Sequence, residues 1–481
     1  MNIGFVSLGC SKNLIDTEVA IGKLKNKYKI INDPKQAEII VVNTCGFIDS
    51  AKEEAINTIL EMAEYKNKRC KYLIAMGCLV QRYFDSLPEL LPEVDLFLRI
   101  SDYPELLEKI DNLVETEPKE NFENEKLNND DLNQEQNSLS EKSQDHIGKN
   151  NVGKELNTKK PIEKLPMFGE EEYLARTVST GENYAYLKIG EGCSNMCTYC
   201  AIPYIRGLFV SRPMEDIIKE AEELAKRGIK EIIIIAQDTT KYGEDLYGKA
   251  KLPELLEKIC KIDGIKWVRF LYAYPEGITD ELINVVKKNE KIAKYFDIPI
   301  QHISNKILNK MNRKTSKEHI ENLIQKIRKE IPKVILRTSL IVGFPGETKE
   351  DFEELYNFVK TVKFDKLGAF EYSKEEGTPA SMMPNQVHHM TKKSRYNKIM
   401  AIQQKVSREN LEKNIGKEME VLIENMSFDK KYLIGRTKND VPEIDGIVYI
   451  KKTKENEETI NEFLKVRIID VENYDLIGES I

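Results

Sequence analysis

The chain has 481 residues, 32% of which are charged, and carries a formal net charge of −7. This length predicts about three domains, and the acidic balance argues against a nucleic-acid-binding surface that covers the whole molecule. No apolar run approaches the ~20 residues of a membrane span, and the N-terminus lacks the pattern of a signal peptide. Eight cysteines are too few for a disulfide scaffold in a chain of this size. We therefore predict a cytoplasmic protein that does not bind membranes.

Residues 1–114 alternate strand-like and helix-like patterns. Four short apolar runs predict strands, at residues 2–8, 37–43, 71–76 and 94–98. Apolar residues at helical spacing predict two helices, at residues 16–25 and 50–65, the second with Ser50 as its N-cap. This alternation favours a parallel sheet with crossover helices, so we expect an N-terminal α/β domain.

Three cysteines in this region, Cys10, Cys45 and Cys78 (the first triad), each lie just after the end of a predicted strand. Each has a glycine beside it, which allows the chain to turn tightly toward a ligand. Because ligands bind at the carboxyl ends of parallel strands, we interpret the first triad as the ligands of one iron–sulfur cluster. Three unrelated buried cysteines are the alternative. Cys70 opens the third strand and should lie at the opposite edge.

Residues 115–165 interrupt the alternation. The segment is rich in Asn, Glu, Gln and Lys and is nearly free of aromatic residues. It cannot bury enough apolar surface to offset the entropy that is lost on ordering, so we interpret it as a disordered linker.

The alternation resumes in residues 166–413. Apolar runs predict six strands with helical segments between them, at residues 184–189, 231–236, 267–271, 296–300, 334–341 and 366–370. In barrels of parallel strands, functional groups lie at the C-terminal ends of the strands. The candidates in or after these strands are Gln237, Asp238, Arg337, Ser339, Gly343 and Gly346. Glycines admit close approach of the backbone to a ligand, while amide and hydroxyl groups can form hydrogen bonds with it.

The loop after the first of these strands carries Cys193, Cys197 and Cys200 (the second triad), spaced C-x₃-C-x₂-C. Three thiolates can each bind one iron of a 4Fe–4S cluster and leave the fourth iron open for a substrate or cofactor. Structural zinc would need a fourth ligand, and the nearest candidates, Cys260 and His302, lie far along the chain. Free thiols are the other alternative, although cysteines beside polar residues are not typical of a core.

Three further polar residues near these motifs have structural interpretations as well. Glu191 and Arg206, which flank the second triad, are as compatible with a structural salt bridge as with cofactor contacts. His302 follows the fourth predicted strand, where a histidine is more often a core or rim residue than a ligand. We therefore assign no catalytic residue beyond the cluster ligands.

Residues 414–481 follow a helical stretch at 392–413 and contain short β-rich runs. These runs predict a small antiparallel barrel, with strands at residues 420–424, 432–437, 446–449, 463–470 and 476–479. Lysines are mixed with many acidic residues and form no basic stripe with interleaved aromatics. This charge pattern is compatible with docking to a protein, and a purely structural cap is the alternative.

The cysteine motifs resemble those of one enzyme family. The stretch GEGCSNMCTYC is similar to the cluster motif of radical S-adenosylmethionine (SAM) enzymes, and residues 1–100 look like the N-terminal domain of the methylthiotransferases in that superfamily. SLGCSKNLIDTE and NTCGFIDSAKEE resemble the protein-modifying RimO branch, whereas the tRNA-modifying MiaB branch typically has glutamine and asparagine after the first cysteine. The C-terminal barrel resembles a TRAM domain.

This resemblance implies a methylthiotransferase domain at 1–114, a partial (β/α)₆ radical SAM barrel at 166–413 and a TRAM-like domain at 414–481. It also implies two 4Fe–4S clusters, one on each triad. SAM would bind the open iron of the cluster on the second triad, and the six candidates of the central strands would surround it.

The implied reaction adds a methylthio group to the β-carbon of an aspartate in protein twelve of the small ribosomal subunit. The substrate is the free ribosomal protein or the assembled small subunit, and flavodoxin or ferredoxin is the expected electron donor. Two alternatives stay open: a tRNA adenosine methylthiotransferase of the MiaB type, and a non-catalytic iron–sulfur protein.

Overall fold

The computed structural model of the protein describes residues 1–115, 160–453 and 459–481. These residues fall into two compact units. Within the described ranges, the first unit comprises residues 1–178, 191–210 and 373–382, and the second comprises 179–190, 211–372 and 383–481. Both cysteine triads belong to the first unit.

Most of the predicted linker at 115–165 lies outside the described residues. At its described end, Ile162 donates a backbone hydrogen bond to Pro203 O (3.1 Å) and accepts one from Leu208 N (2.8 Å). Both partners lie in the loop of the second triad, so the chain is anchored to this loop before residue 166. The predicted domain boundaries stay a prediction.

A parallel sheet of five strands forms the centre of the N-terminal region. Its strands are β1 (Asn2–Ser7), β2 (Lys29–Ile31), β3 (Ile39–Thr44), β4 (Tyr72–Gly77) and β5 (Leu96–Leu98). Their spatial order is β2-β1-β3-β4-β5, and every pair is parallel. Every residue of β3 and β4 is buried, as their continuous apolar runs predict for inner strands of a parallel sheet. The predicted α/β arrangement is confirmed, and the short edge strand β2 is an addition to it.

The helices of this region are α1 (Ser11–Leu24), α2 (Asp49–Ala63), α3 (Cys78–Tyr83), α4 (Leu87–Leu90) and α5 (Leu106–Glu115). The prediction that Ser50 caps α2 is wrong, because the helix begins at Asp49 and Ile48 occupies the N-cap without a side-chain hydrogen bond. The carboxylate of Glu375 instead accepts a hydrogen bond from Asp49 N (3.1 Å). A residue 326 positions away thus satisfies one of the free N–H groups of the helix start.

The six strands of the central region lie in the second unit and form two parallel sheets of three strands each. The two-residue strands β7 and β8 flank the loop of the second triad. The strands are β6 (Tyr184–Lys188), β7 (Gly190–Glu191), β8 (Val210–Ser211), β9 (Glu231–Ile235), β10 (Trp267–Phe270), β11 (Tyr295–Asp297), β12 (Ile335–Val342) and β13 (Lys366–Glu371). Hydrogen bonds from Ala273 N to Asp297 O (2.9 Å) and from Ala293 N to Val268 O (2.8 Å) connect the sheet β6-β9-β10 to the sheet β11-β12-β13. All six predicted strands are therefore present.

Helices connect these strands, as the sequence pattern predicts. In the first unit, two further described α-helices are Glu170–Ala175 and Ile202–Ile205. The described α-helices of the second unit are Met214–Lys226, Glu244–Tyr247, Leu252–Ile259, Asp280–Lys288, Asn305–Lys310, Lys317–Glu330, Lys349–Val362 and His389–Glu412.

The C-terminal region forms a small closed barrel. Its strands are β14 (Glu418–Met426), β15 (Tyr432–Thr437), β16 (Val448–Lys451), β17 (Phe463–Val471) and β18 (Leu476–Ser480), in the spatial order β14-β15-β16-β18-β17. Four of the strand pairs are antiparallel, as predicted, and the pair β16–β18 is parallel. Alternate apolar side chains of these strands fill the barrel interior.

A buried group of three charged residues joins this barrel to the central strands within the second unit. Glu231, at the start of β9, pairs with Arg269 of β10 and with Arg436 of β15, the latter at 2.8 Å. All three side chains are at most 1% exposed. Burial alone would raise the pKa of Glu231, but the two guanidinium groups reverse this effect and lower it.

We expect the substitution Glu231→Ala to lower the free energy of unfolding by about 3–5 kcal/mol, because it leaves two buried guanidinium groups without their common partner. The matched control is Glu412→Ala, which breaks the exposed ion pair with Arg408 (3.1 Å) and should cost less than about 1 kcal/mol. Urea denaturation of both variants measures the difference. Equal losses in the two variants would contradict a stabilising role of the buried group.

Candidate metal centres

The first triad lies at the carboxyl edge of the N-terminal sheet. Its cysteines follow β1, β3 and β4, which are neighbours in the sheet. Burial raises the pKa of Cys78 to about 12, and the neighbouring Cys10 and Cys45 thiols act in the same direction. Cys10 is exposed, Cys45 is partly buried and Cys78 is buried. The structure thus brings the three thiols to one edge, with one member open to solvent. Cys70 lies two residues before β4, toward the opposite edge as predicted, and its thiol donates to Tyr72 O (3.3 Å).

Two glycines allow these turns. Gly77 has φ +101°, and a Cβ atom there would lie 2.3 Å from Asn43 Oδ1 and 2.6 Å from Thr44 O. Gly9 has φ +86°, and its Cβ would lie 2.8 Å from the Cβ of Cys45. Only glycine fits both the backbone conformation and the available space.

We expect Gly77→Ala to lower the free energy of unfolding by about 2 kcal/mol more than the control Gly228→Ala. Gly228 also has a positive φ (+89°), but nothing lies within 4 Å of its Cβ position. Both variants share the cost of a positive φ, whereas only Gly77→Ala adds a clash. Urea denaturation of the metal-free protein measures stability. Iron content after reconstitution should fall only in Gly77→Ala; an unchanged iron content would contradict the assigned role of this turn.

Asn13, on the first turn of α1, supports the first triad, and sequence reasoning did not single it out. Its Nδ2 donates to Leu8 O (3.0 Å) and to Thr44 O (2.8 Å), which are the chain segments that precede Cys10 and Cys45. Its Oδ1 lies 3.5 Å from Cys78 Sγ. Because Asn13 is 1% exposed, one buried amide orients all three cysteine-bearing turns. The only signal in the sequence is its position shortly after Cys10.

The second triad lies on a compact loop of the first unit. Cys193 N donates to Gly207 O (2.9 Å), and Cys200 N donates to Cys197 O (3.0 Å). Burial, together with the charges of Cys197 and Cys193, raises the pKa of Cys200 well above its ordinary value. Gly192 precedes the triad with φ +75°, where a Cβ would lie 2.3 Å from Leu208 O. The loop is therefore closed on itself by backbone hydrogen bonds that hold the three thiols near one another.

The donor chemistry of both triads fits a cluster better than a single ion. In the described residues, no three His, Cys, Asp or Glu side chains converge on one metal-ion position. In a cubane cluster, however, each cysteine binds a different iron, so the thiols need not meet at one point. The raised pKa values of Cys78 and Cys200 mean that these two thiols hold their protons in the metal-free protein, and each must release its proton when it binds metal.

The six candidates for SAM binding lie in the second unit, and several are engaged in contacts with the protein itself. Asp238 accepts hydrogen bonds from the backbone N (3.1 Å) and Oγ1 (2.6 Å) of Thr240 and so caps the turn after β9. Arg337 pairs with Asp297 (2.8 Å) near the start of β12 and lies 3.9 Å from Asp445. These contacts supply structural roles for both residues. Their contacts with SAM stay a prediction. The same holds for the contact of Gln237, which lies after β9.

The remaining candidates lie on β12 and on the glycine loop after it. Ser339 O accepts a hydrogen bond from Gln301 N (2.9 Å). Gly343 and Gly346 have φ of +74° and +79°, so both use the conformation that favours glycine. The carboxylate of Glu347 accepts hydrogen bonds from the backbone N–H groups of Gly343 and Phe344.

Three comparisons place these features among known proteins. A radical SAM superfamily model matches residues 187–359, a TRAM domain model matches residues 415–481, and a model described as uncharacterized protein family UPF0004 matches residues 2–99. The ribosomal protein uS12 methylthiotransferase RimO of Alkaliphilus oremlandii is 56% identical over 481 residues, which are 100% of this chain and 99% of the relative. The ribosomal protein uS12 methylthiotransferase RimO of Clostridioides difficile is 50% identical, and the match covers 100% of this chain and 99% of the relative.

The chain belongs to the RimO family of methylthiotransferases. Its radical SAM and TRAM domains are those that the sequence motifs predict, and it is a radical SAM methylthiotransferase. Membership of the radical SAM superfamily supports SAM and an iron–sulfur cluster as cofactors.

A solved structure agrees with this fold assignment. The radical SAM methyltransferase TsrM of Kitasatospora setae, solved with cobalamin and a [4Fe-4S] cluster, matches with a TM-score of 0.53 at 12% identity and covers 79% of this chain and 77% of its own. This likeness concerns the fold alone. No helix in the described parts of the chain is long and apolar enough to span a membrane.

Glu347 supports the glycine loop in this RimO-family protein and lies beside the buried His302. His302 Nε2 lies 4.0 Å from Glu347 Oε2, and Arg395 Nη1 donates to Glu347 Oε1 (3.0 Å). Burial lowers the pKa of His302 to about 3. Burial raises the pKa of Glu347 to about 7, although the positive charge of Arg395 opposes this effect. His302 is thus a neutral core residue, as expected, whereas no pattern in the sequence pointed to the buried Glu347.

We expect His302→Leu to make the free energy of unfolding less sensitive to acidic pH. Since the folded protein keeps His302 neutral down to about pH 3, only the unfolded chain gains this proton near pH 6.5. The stabilisation that comes from keeping His302 neutral is therefore fully present above pH 6.5 and is lost as the pH falls toward 3. At pH 5 the loss is about 2 kcal/mol, from 1.36 kcal/mol per pKa unit.

The measurement is the free energy of unfolding of the parent and the variant at pH 7 and pH 5. Between pH 7 and pH 5, the free energy of unfolding of the parent should fall by about 2 kcal/mol more than that of His302→Leu. Protonation of Glu347 affects the stability of both proteins. The control His389→Leu removes an exposed histidine and should follow the parent. Parallel pH dependence of the parent and His302→Leu would show that the buried imidazole is protonated in the folded state.

Proposed function

We propose that this chain adds a methylthio group to the β-carbon of an aspartate in ribosomal protein uS12, the protein that the names of its relatives specify. The observation that carries the proposal is the identity of 56% over the full chain, which includes both triads. The carbon to be modified has no acidic or leaving group, so its C–H bond requires radical chemistry, which the protein obtains from its cofactors.

The proposed cofactors are two 4Fe–4S clusters and SAM. The first triad binds one cluster and the second triad binds the other, with SAM at the iron that has no protein ligand. Five of the six thiols are buried or partly buried, while the exposed Cys10 leaves the first site open on one side. The open side is where a bulky protein substrate can reach a sulfur atom.

The small-subunit ribosomal protein is the proposed partner, as the free protein or in the assembled subunit, and flavodoxin or ferredoxin is the proposed electron donor. A ribosomal substrate also supports a cytoplasmic location. The C-terminal barrel is the proposed docking module for the protein substrate.

The test is an anaerobic assay with reconstituted enzyme, SAM and dithionite, which offers uS12 and unmodified tRNA in parallel. Mass spectrometry should find a methylthio adduct on an aspartate of uS12 and none on the tRNA. An adduct on the tRNA alone would favour the MiaB-type reaction. Uncleaved SAM with intact clusters would contradict an enzymatic role and favour a non-catalytic iron–sulfur protein.

Cysteine variants separate the roles of the two triads. Cys45→Ala and Cys197→Ala should each reduce bound iron from about eight to about four atoms per chain, and both should abolish methylthio transfer. Only Cys197→Ala should also abolish SAM cleavage, because Cys45 does not belong to the SAM-binding cluster.

The matched controls are Cys70→Ala and Cys260→Ala, which remove buried thiols outside the triads. Both variants should keep the full iron content and the transfer activity. Loss of iron in either control, at unchanged folding, would mean that the ligand sets are assigned incorrectly.

A further inference from the structure

Arg206 connects the two triads within the first unit. It belongs to the loop of the second triad, yet its Nε donates a hydrogen bond to the Sγ atom of Cys78 in the first triad (3.2 Å). Both side chains are buried. A side chain from the segment of one candidate cluster therefore touches a ligand of the other.

The remaining donors of Arg206 fix its orientation. Nη1 donates to Glu191 Oε2 (2.8 Å), and Nη2 donates to Asp16 Oδ2 (2.9 Å) and to Asn13 Oδ1. These partners are at most 5% exposed. Because the guanidinium group is planar with its donors in a rigid fork, the contacts on one side determine where the Nε–H points, and it points at the cysteine sulfur.

The negative groups around Arg206 outnumber its single positive charge. One guanidinium faces two buried carboxylates, those of Asp16 and Glu191, and the sulfur of Cys78. Burial alone would lower the pKa of Arg206, but these neighbours raise it well above its ordinary value. Arg206 is therefore the cation that compensates the negative charge at this ligand of the first triad, in surroundings where such an interaction is weakly screened.

We propose that Arg206 is a positioning residue that donates a charge-assisted hydrogen bond to the Cys78 thiolate and thereby raises the reduction potential of a cluster on the first triad. The inference rests on the proposed function, which assigns a cluster to that triad. Hydrogen bonds to the ligating sulfurs and local charge set the potentials of iron–sulfur clusters. A donor stabilises the more negative, reduced cluster and so favours reduction.

The test uses the full-length chain with all three cysteines of the second triad replaced by alanine, so that only the first cluster titrates. Arg206→Lys keeps the charge but loses the fork that directs a donor at sulfur. At the midpoint potential of the parent, this variant should show a tenfold lower ratio of reduced to oxidised cluster, which is a shift of about −59 mV for one electron. Spectroelectrochemical titration with EPR detection of the reduced cluster measures it.

Glu191→Gln provides the opposite test. It removes a carboxylate that competes for the guanidinium, keeps Arg206 in place and should raise the ratio of reduced to oxidised cluster. The matched control is Arg176→Lys, which alters another buried arginine of the first unit whose partner, Glu18 (3.3 Å), lies on the same helix α1 as Asp16. The control should leave the potential unchanged. A purely structural role of Arg206 predicts equal rises for Glu191→Gln in the parent and in the Arg206→Lys background, because each rise would then reflect the removed charge alone.

The outcomes distinguish this inference from the proposed function. Absence of iron in the parent would overturn the cluster assignment itself, and the inference with it. Iron retained at an unchanged potential in both Arg206→Lys and Glu191→Gln would overturn the inference alone. If Arg206→Lys does not retain iron, Glu191→Gln decides, since a raised potential supports the inference and an unchanged one overturns it.

Discussion

Buried ion pairs hold the three chain segments of the first unit together, and both candidate metal centres depend on them. Arg206 ties the loop 191–210 to the N-terminal α/β region through Asp16. Glu375 ties the segment 373–382 to the same region through Arg82 (3.0 Å) and Lys52 (3.3 Å). Breaking such a buried pair costs several kcal/mol because an unpaired charge stays behind. The relative placement of the segments is therefore strongly specified.

Two arginines of the first unit, Arg82 and Arg206, each lie on the segment of one triad and interact with a cysteine of the other. Arg82 lies on α3, the helix that begins with Cys78, and its charge opposes the burial that raises the pKa of Cys200. Arg206 follows Cys200 along the chain and contacts Cys78. Each cysteine-bearing segment thus contributes a cation near a cysteine of the other.

The sequence predicted most of this fold because its signals are local. Continuous apolar runs identify β3 and β4, and parallel topology then gathers the cysteines that follow them at one edge. The features that escaped prediction depend on contacts between distant residues. The cap of α2 comes from Glu375, and the parallel pair β16–β18 results from barrel closure. For Arg206, the sequence was as compatible with a structural salt bridge as with a cofactor contact, and its partners Asp16 and Cys78 escaped prediction because no local pattern reveals a partner in another segment.

The candidate site on the glycine loop follows the same physical rule in the second unit. Glu347 accepts backbone hydrogen bonds from Gly343 and Phe344 and is paired with Arg395, so the loop has its shape before any ligand binds. In the first unit, Asn13 and Arg206 do the same for the cysteine turns. A site whose donors are fixed in this way loses little entropy on binding. Buried polar groups are therefore what fixes the geometry of the glycine loop and of the cysteine turns.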